Sequence, residues 1–369
     1  MCQRWEEYVL LIESLMKLSE REEKSSESKG RDKIKKMKDV AREAAEHLEA
    51  MDATDFFMAY GGLKIERQKN IKRSGFVLLY LEENWFRKAV VAYFKKSPEM
   101  EVEAKKPAKG GVQQSLVVDI NGRKSAYYAK VLGTFNKNYG TWPFDKPPVD
   151  LREIFVYRLL SSIGVGSKEV HVIPDVPNSG YVYLATKMIE NFFTADGHTE
   201  DYLRTGSTKN DKSVKGSKKK AEDQLDMLGW LLRLHDLGVE NKANYGFIAR
   251  LMSDSSTSFE LRIVDFRVLA KNANQSPYFP KAKDSKMKSE WKKFAEVWKL
   301  TDKIDEAWKK MEEDLAIRKR FEEDKNAYEG KNQQDQNLFD YRDGVKDNLQ
   351  KLVKEEQSGS GAAKKPRTD

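Results

Sequence analysis

A chain of 369 residues with a single cysteine, Cys2, and four histidines cannot form a disulfide within itself, and it has too few soft ligands for a Cys/His zinc site. Hydrophobic residues make up 39% and aromatics 11%, enough for folded cores, while 34% charged residues and a mean hydropathy of -0.74 keep much of the chain in water. The net charge of +8 is modest for this length, so where the charges fall matters more than their sum.

At about 150 residues per domain the length predicts two to three domains or one two-lobed domain with extensions. Glu6, Glu7 and Glu13 interrupt the opening apolar pattern, which excludes a signal-peptide core there. No apolar run approaches the ~18 residues of a membrane span. These features predict a soluble cytoplasmic or nuclear protein with no membrane partner.

Trp5, Val9, Ile12, Leu15 and Met16, then Ile34, Met37, Val40, Ala44, Leu48 and Met51, recur at helical spacing and predict a helical hairpin. A third helix is expected after Ser74, running through Phe76–Phe94, so that residues 1–97 form a helical N-terminal extension. Pro98 to Gly111, rich in lysine and holding a Gly pair, reads as a boundary.

The period then switches. Ser115–Ile120 and Ser125–Leu132 flank Asn121-Gly122, a strong short-range signal for a β-hairpin. Asp150 is placed to cap a helix through Leu151–Leu160, ended by Gly164 and Gly166, and strands are expected at Glu169–Ile173 and Tyr181–Lys187. Between Arg204 and Lys220 seven basic residues face one acid among Gly, Ser, Thr and Asn, which predicts a flexible basic loop over 204–220. Ala221–His235 reads as an apolar helix delivering His235-Asp236 at its end, and Tyr245-Gly-Phe-Ile with Phe259–Asp265 as a hairpin. From Ser285 three helical stripes follow: Trp291, Phe294, Val297, Trp298 and Leu300; Ile304, Trp308, Met311, Leu315 and Ile317; and Leu338, Tyr341, Val345, Leu349 and Leu352. Residues 357–369 read as a disordered tail ending in the basic cluster Lys364-Lys365-Pro366-Arg367.

Chemistry concentrates in Leu234-His235-Asp236-Leu237-Gly238-Val239-Glu240-Asn241 and in Arg262-Ile263-Val264-Asp265-Phe266-Arg267. An Asp, an Asn five positions on, and an Asp-Phe closing an apolar strand resemble the order in which kinase-like folds place a catalytic base and two metal ligands, which suggests a phosphoryl-transfer site. An acid at the end of Ile263-Val264 needs a reason to sit at a core edge.

These motifs and the strand–strand–helix–strand–strand order over roughly residues 99–270 resemble the protein-kinase-like superfamily. Asn244-Tyr245-Gly246-Phe247 also looks like the Asn-aromatic-Gly-aromatic sequence of HipA-like kinases. The resemblance implies an α+β bilobal fold, with a small antiparallel-sheet N-lobe over 98–190, a helical C-lobe over 191–356, and helical extensions at both ends. It implies that Lys130 contacts nucleotide phosphates and is held by Glu153. Gly110 and Gly111 would supply a phosphate loop, and Thr186 and Glu190 would lie at the gatekeeper and hinge. Asp236 would act on the substrate hydroxyl, and Asp265 with Asn241 or Asn244 would hold Mg²⁺ for ATP.

The chain departs from the family pattern in lacking Gly-x-Gly-x-x-Gly ahead of Lys130, in carrying Arg267 where glycine follows Asp-Phe, and in lacking Ala-Pro-Glu. Three functions follow as expectations: an ATP- and magnesium-dependent phosphotransferase, a pseudokinase scaffold that holds a protein partner through its helical extensions, or a nucleic-acid-associated protein using the basic loop and tail.

Overall fold

The computed structural model describes residues 76–107, 115–132, 151–174, 182–195, 212–237, 242–253, 257–268, 285–314 and 331–354, together with Leu10 and Asp39. Apart from Leu10 and Asp39, the predicted hairpin over Trp5–Met51 lies outside these residues, as do the Gly110-Gly111 loop and the tail 357–369. The architecture is α+β and falls into two compact units. The first takes the described residues up to Leu132 with His171–Thr186; the second takes Leu151–Val170 and the described residues from Lys187 onward.

Among the described residues of the first unit, a helix packs on a sheet. Helix α1 (Phe76–Phe94) precedes strands β1 (Val102–Lys105), β2 (Ser115–Ile120) and β3 (Arg123–Val131), and the sheet is completed by β4 (Val170–Pro174) and β5 (Val182–Lys187) in the order β1-β2-β3-β5-β4. Phe86, Ala89, Val90 and Phe94 recur at helical spacing and meet Leu116, Val118, Ala129, Val131, Ile173 and Tyr183 in a single core. Phe86 stacks on Tyr183 with ring centres 4.5 Å apart. Each such side chain, fully buried, contributes about 1.5–3 kcal/mol.

The β2–β3 turn is the one the sequence predicts. Asn121 and Gly122 both take left-handed φ, 49° and 74°, which matches the twist of the flanking strands. Beside it Asp119 accepts from the backbone N–H of Ser125 at 2.6 Å and from Lys105 Nζ at 2.5 Å. Strand β1 lies inside the stretch expected to be a boundary. Only Ala104 of its four residues is buried, so this charged edge strand carries no apolar alternation to reveal it.

The second unit holds α2 (Leu151–Ser162), α3 (Lys212–Leu232), α4 (Ser285–Val297), α5 (Leu300–Asp314) and α6 (Lys331–Lys354). It also holds a sheet in the order β6-β8-β9, from Phe192–Thr194, Tyr245–Leu251 and Thr257–Ile263, and a two-stranded pair of β7 (Leu234–His235) with β10 (Arg267–Val268). Phe155 of α2 sits edge-on to Trp308 of α5 at 5.9 Å and to Tyr341 of α6 at 6.2 Å. Arg158 grips Asp314 through two bonds of 2.7 and 2.6 Å, the bidentate geometry that fixes one helix along another. The predicted stripe of α6 is buried throughout at Leu338, Tyr341, Val345, Leu349 and Leu352.

Three expectations are corrected. Helix α3 begins at Lys212, so the second half of the basic segment 204–220 is helical; lysines carry good helix propensity but no apolar period to announce it. That helix ends at Leu232 rather than His235, because Arg233 turns left-handed at φ 59° and the chain enters β7. Val297, expected on an apolar stripe, is 78% exposed at the end of α4, where the chain turns before α5.

Candidate functional site

Two loops of the second unit carry the candidate carboxylates, and β7 and β10 bring them together. Their antiparallel pairing sets His235 opposite Arg267 and Leu234 opposite Val268. Asp236 follows β7 and Asp265-Phe266 precedes β10. Each carboxylate is thus one or two residues from a shared ladder.

Asn244 ties the loops further. It ends a single 3₁₀ turn, Lys242–Asn244, that leads into β8. Its side-chain amide donates to the backbone carbonyl of Asp236 at 2.9 Å. Its own carbonyl accepts from the N–H of Val264 at 2.9 Å and of Asp265 at 3.2 Å. One residue therefore holds the backbones of both candidate acids, and its amide nitrogen is occupied in doing so.

Asp265 is oriented from two sides. Its Oδ1 accepts the hydroxyl of Tyr157 at 3.1 Å and the N–H of Phe266 at 2.9 Å. The ring of Tyr157 also packs on Phe266 with centres 4.4 Å apart. Tyr157 belongs to the apolar run of α2, and no motif marks it in the sequence as a supporting residue.

Asp236 sits at φ 61°, a left-handed conformation that Asp tolerates better than most residues and that concentrates at functional sites. Its Oδ2 meets Arg267 Nε at 3.0 Å and its Oδ1 lies 3.3 Å from His235 Nε2. Arg267, read in the sequence as a departure from the family pattern, is thus the ion-pair partner of the candidate base. Asp236 is 32% and Arg267 46% exposed, so the pair faces solvent.

The remaining predicted residues are placed one by one. Lys130 lies near the end of β3 in the first unit, 3% exposed, and Glu153 lies in the first turn of α2 in the second unit, 7% exposed; both are buried charges, which need partners. Thr186 is half-buried on β5, and Glu190 is exposed in the turn after it. Asn241 and the Gly110-Gly111 pair lie outside the described residues. Among the described residues no group of three or more His, Cys, Asp or Glu side chains comes together to hold a metal ion.

Gly246 explains part of the Asn-Tyr-Gly-Phe sequence structurally. It pairs with Thr194 across β6 and β8, and a Cβ there would stand 1.9 Å from the carbonyl oxygen of Phe193. The glycine is required by the close approach of two strands.

No protein-family model matches the chain, and no curated protein matches it. Among solved structures, a chain from the Shewanella oneidensis MR-1 toxin–antitoxin complex of HipA, HipB and operator DNA is similar at 11% identity and a TM-score of 0.33, over 70% of this chain and 73% of that one. A likeness of that degree decides neither fold nor function. Among the described residues no helix is long and apolar enough to cross a membrane.

Proposed function

We propose that the chain has a kinase-like fold and acts as a phosphotransferase that uses Mg-ATP. The observation that carries this reading is the Asn244 link, which ties the backbones of Asp236 and Asp265 together. A phosphoryl-transfer site works by positioning more than by covalent chemistry, so two carboxylates held by a shared backbone clip are what it requires. Asp236 is the group that orients or accepts the proton of the attacking hydroxyl. Lys130, Gly110 and Gly111 are assigned to the nucleotide phosphates and Glu190 to the nucleotide, as the sequence resemblance implies.

Magnesium is usually held by one or two carboxylates plus the phosphates themselves, so a donor set with Asp265 as its one carboxylate fits the ion. Asp265 and either Asn241 or the amide oxygen of Asn244 would hold it. The bound ion supplies neutralisation of charge on the transferring phosphoryl group.

A second reading, a pseudokinase that serves as a protein-interaction scaffold, is favoured by one contact: Arg267 occupies the carboxylate that the first reading needs for its base.

Thermal unfolding with and without millimolar Mg-ATP, on the wild type and on Asp265→Asn, tests the proposal. A ligand at about 100 times its Kd adds about 2.7 kcal/mol to native stability, a shift of several degrees. The expected result is a magnesium-dependent shift that Asp265→Asn abolishes. No shift in the wild type would remove the nucleotide site; an undiminished shift in the variant would place it away from Asp265.

A further inference from the structure

We propose, on the reading that Asp265 holds the metal of a bound nucleotide, that Tyr157 is a positioning residue that makes this site prefer Mg²⁺ to Ca²⁺ by committing one oxygen of Asp265 to the protein. Tyr157 acts from α2 on two consecutive residues ahead of β10. Its hydroxyl lies 3.1 Å from Asp265 Oδ1 and 3.4 Å from the carbonyl oxygen of Val264. A tyrosine has one proton to donate, and the nearer, charged acceptor takes it. The same Oδ1 accepts the N–H of Phe266 at 2.9 Å, so both donations fall on one oxygen of the carboxylate. The ring of Tyr157 meanwhile packs on the buried Phe266. Tyr157 is itself 4% exposed, and away from bulk water such a bond is stronger.

The helix beneath this contact is anchored. Arg158, the next residue, is bound to Asp314 through two bonds, and Phe155 lies edge-on to Trp308 and Tyr341. Tyr157 therefore stays in place, and a carboxylate that turned away would leave its hydroxyl behind. The two cations ask different things of that carboxylate. Ca²⁺ takes about 6–8 oxygens at roughly 2.3–2.6 Å in flexible geometry and readily draws both oxygens of one carboxylate. Mg²⁺ is smaller and demands a near-ideal octahedron, which the narrow bite of a carboxylate strains. Asp265 serves the second ion while keeping Oδ1 on Tyr157 and Phe266, whereas binding through both oxygens disrupts those two bonds. The same preference follows from the donor set, since among the described residues no three His, Cys, Asp or Glu side chains gather to supply the many oxygens of a calcium site.

ATP titrations read by melting temperature, in excess magnesium chloride and in excess calcium chloride, test this role on the wild type and on Tyr157→Phe. Phenylalanine keeps a ring against Phe266 and removes only the hydroxyl. In the wild type the midpoint with magnesium is expected at lower ATP than the midpoint with calcium. In Tyr157→Phe the ratio of the two midpoints should shift toward calcium by about tenfold, the effect of one hydrogen bond to a charged group. A residue that only supports the fold would weaken both salts alike, so an unchanged ratio, or one shifted toward magnesium, would overturn the role. A wild type that binds ATP equally well with either cation would overturn it without the variant and leave the nucleotide site standing. No response to ATP with either cation in the wild type would overturn the nucleotide reading and the Tyr157 role together.

Discussion

The guanidinium of Arg267 closes on the carboxylate of Asp236, with Nε 3.0 Å from Oδ2. The contact spans the two-stranded ladder that brings the candidate acids together, since Arg267 pairs in register with His235, the neighbour of Asp236. Both side chains are partly exposed, and exposed ion pairs contribute about 0–1 kcal/mol. The pair is therefore a poor candidate for holding the fold and a good one for occupying the Asp236 carboxylate. Arg267→Ala is expected to shift urea-denaturation stability by less than about 1 kcal/mol. With the carboxylate released, ATP turnover should rise. A loss above about 2 kcal/mol would mark the pair as structural, and unchanged turnover would mean that Arg267 does not restrain Asp236.

Asn244 carries the opposite expectation, because its amide nitrogen is bonded within the fold. Asn244→Ala removes a donor to the Asp236 carbonyl and is expected to cost about 1–2 kcal/mol by chemical denaturation. Asn244→Asp should cost more, since a carboxylate then faces that carbonyl. A metal-ligand role predicts the reverse order in a magnesium titration, where aspartate would keep or strengthen the response. The two variants measured together tell clip from ligand.

Gly246 provides a sharper structural test. A methyl group there would collide with the backbone of Phe193, its carbonyl oxygen at 1.9 Å and carbonyl carbon at 2.7 Å, and backbone cannot swing aside as a side-chain tip can. Gly246→Ala is expected to separate β6 from β8 and to cost at least about 3 kcal/mol in equilibrium unfolding. A cost below about 1 kcal/mol would show that the strands do not approach so closely.

The elements legible in the sequence are those whose period or turn chemistry is local. Asn121-Gly122 specifies its hairpin because both residues accept left-handed φ, and α6 shows its buried stripe because its core positions recur at three- and four-residue steps. The hairpin of β8 and β9 was likewise readable, and the structure pairs Tyr245 with Ile263 in it. What the sequence hides depends on partners distant along the chain. Strands β7 and β10 have two residues each and exist through one another, so no window holds their signal. Tyr157 reaches Asp265 across more than a hundred residues, and inside α2 it looks like one more core aromatic. Arg267 stood out as the wrong residue after Asp-Phe, but its partner could not be named without the ladder that sets it beside Asp236.

Asp226 makes the stability pH-dependent in a direction that can be worked out. It lies on α3, where burial, and then the neighbouring carboxylates of Asp223 and Glu222, push its pKa from 3.8 up to about 6, with Lys219 opposing. Tyr245 on β8 is pushed up as well, by burial first and then by Glu222 and Asp226, so the same acids are felt across to the sheet. The folded state thus holds the Asp226 proton more tightly than the unfolded chain does. The stabilisation is fully present below about pH 3.8 and is lost as pH rises through about 6. At neutral pH the protein carries a half-buried carboxylate at a cost of about 1–2 kcal/mol, after discounting the shift for solvent screening. Asp226→Asn replaces it with a neutral group of the same shape. Urea denaturation at a series of pH values should find the variant more stable than the wild type above about pH 6, with the difference closing by about pH 4. A difference that stays constant across this range would mean that Asp226 titrates alike in the folded and unfolded chain.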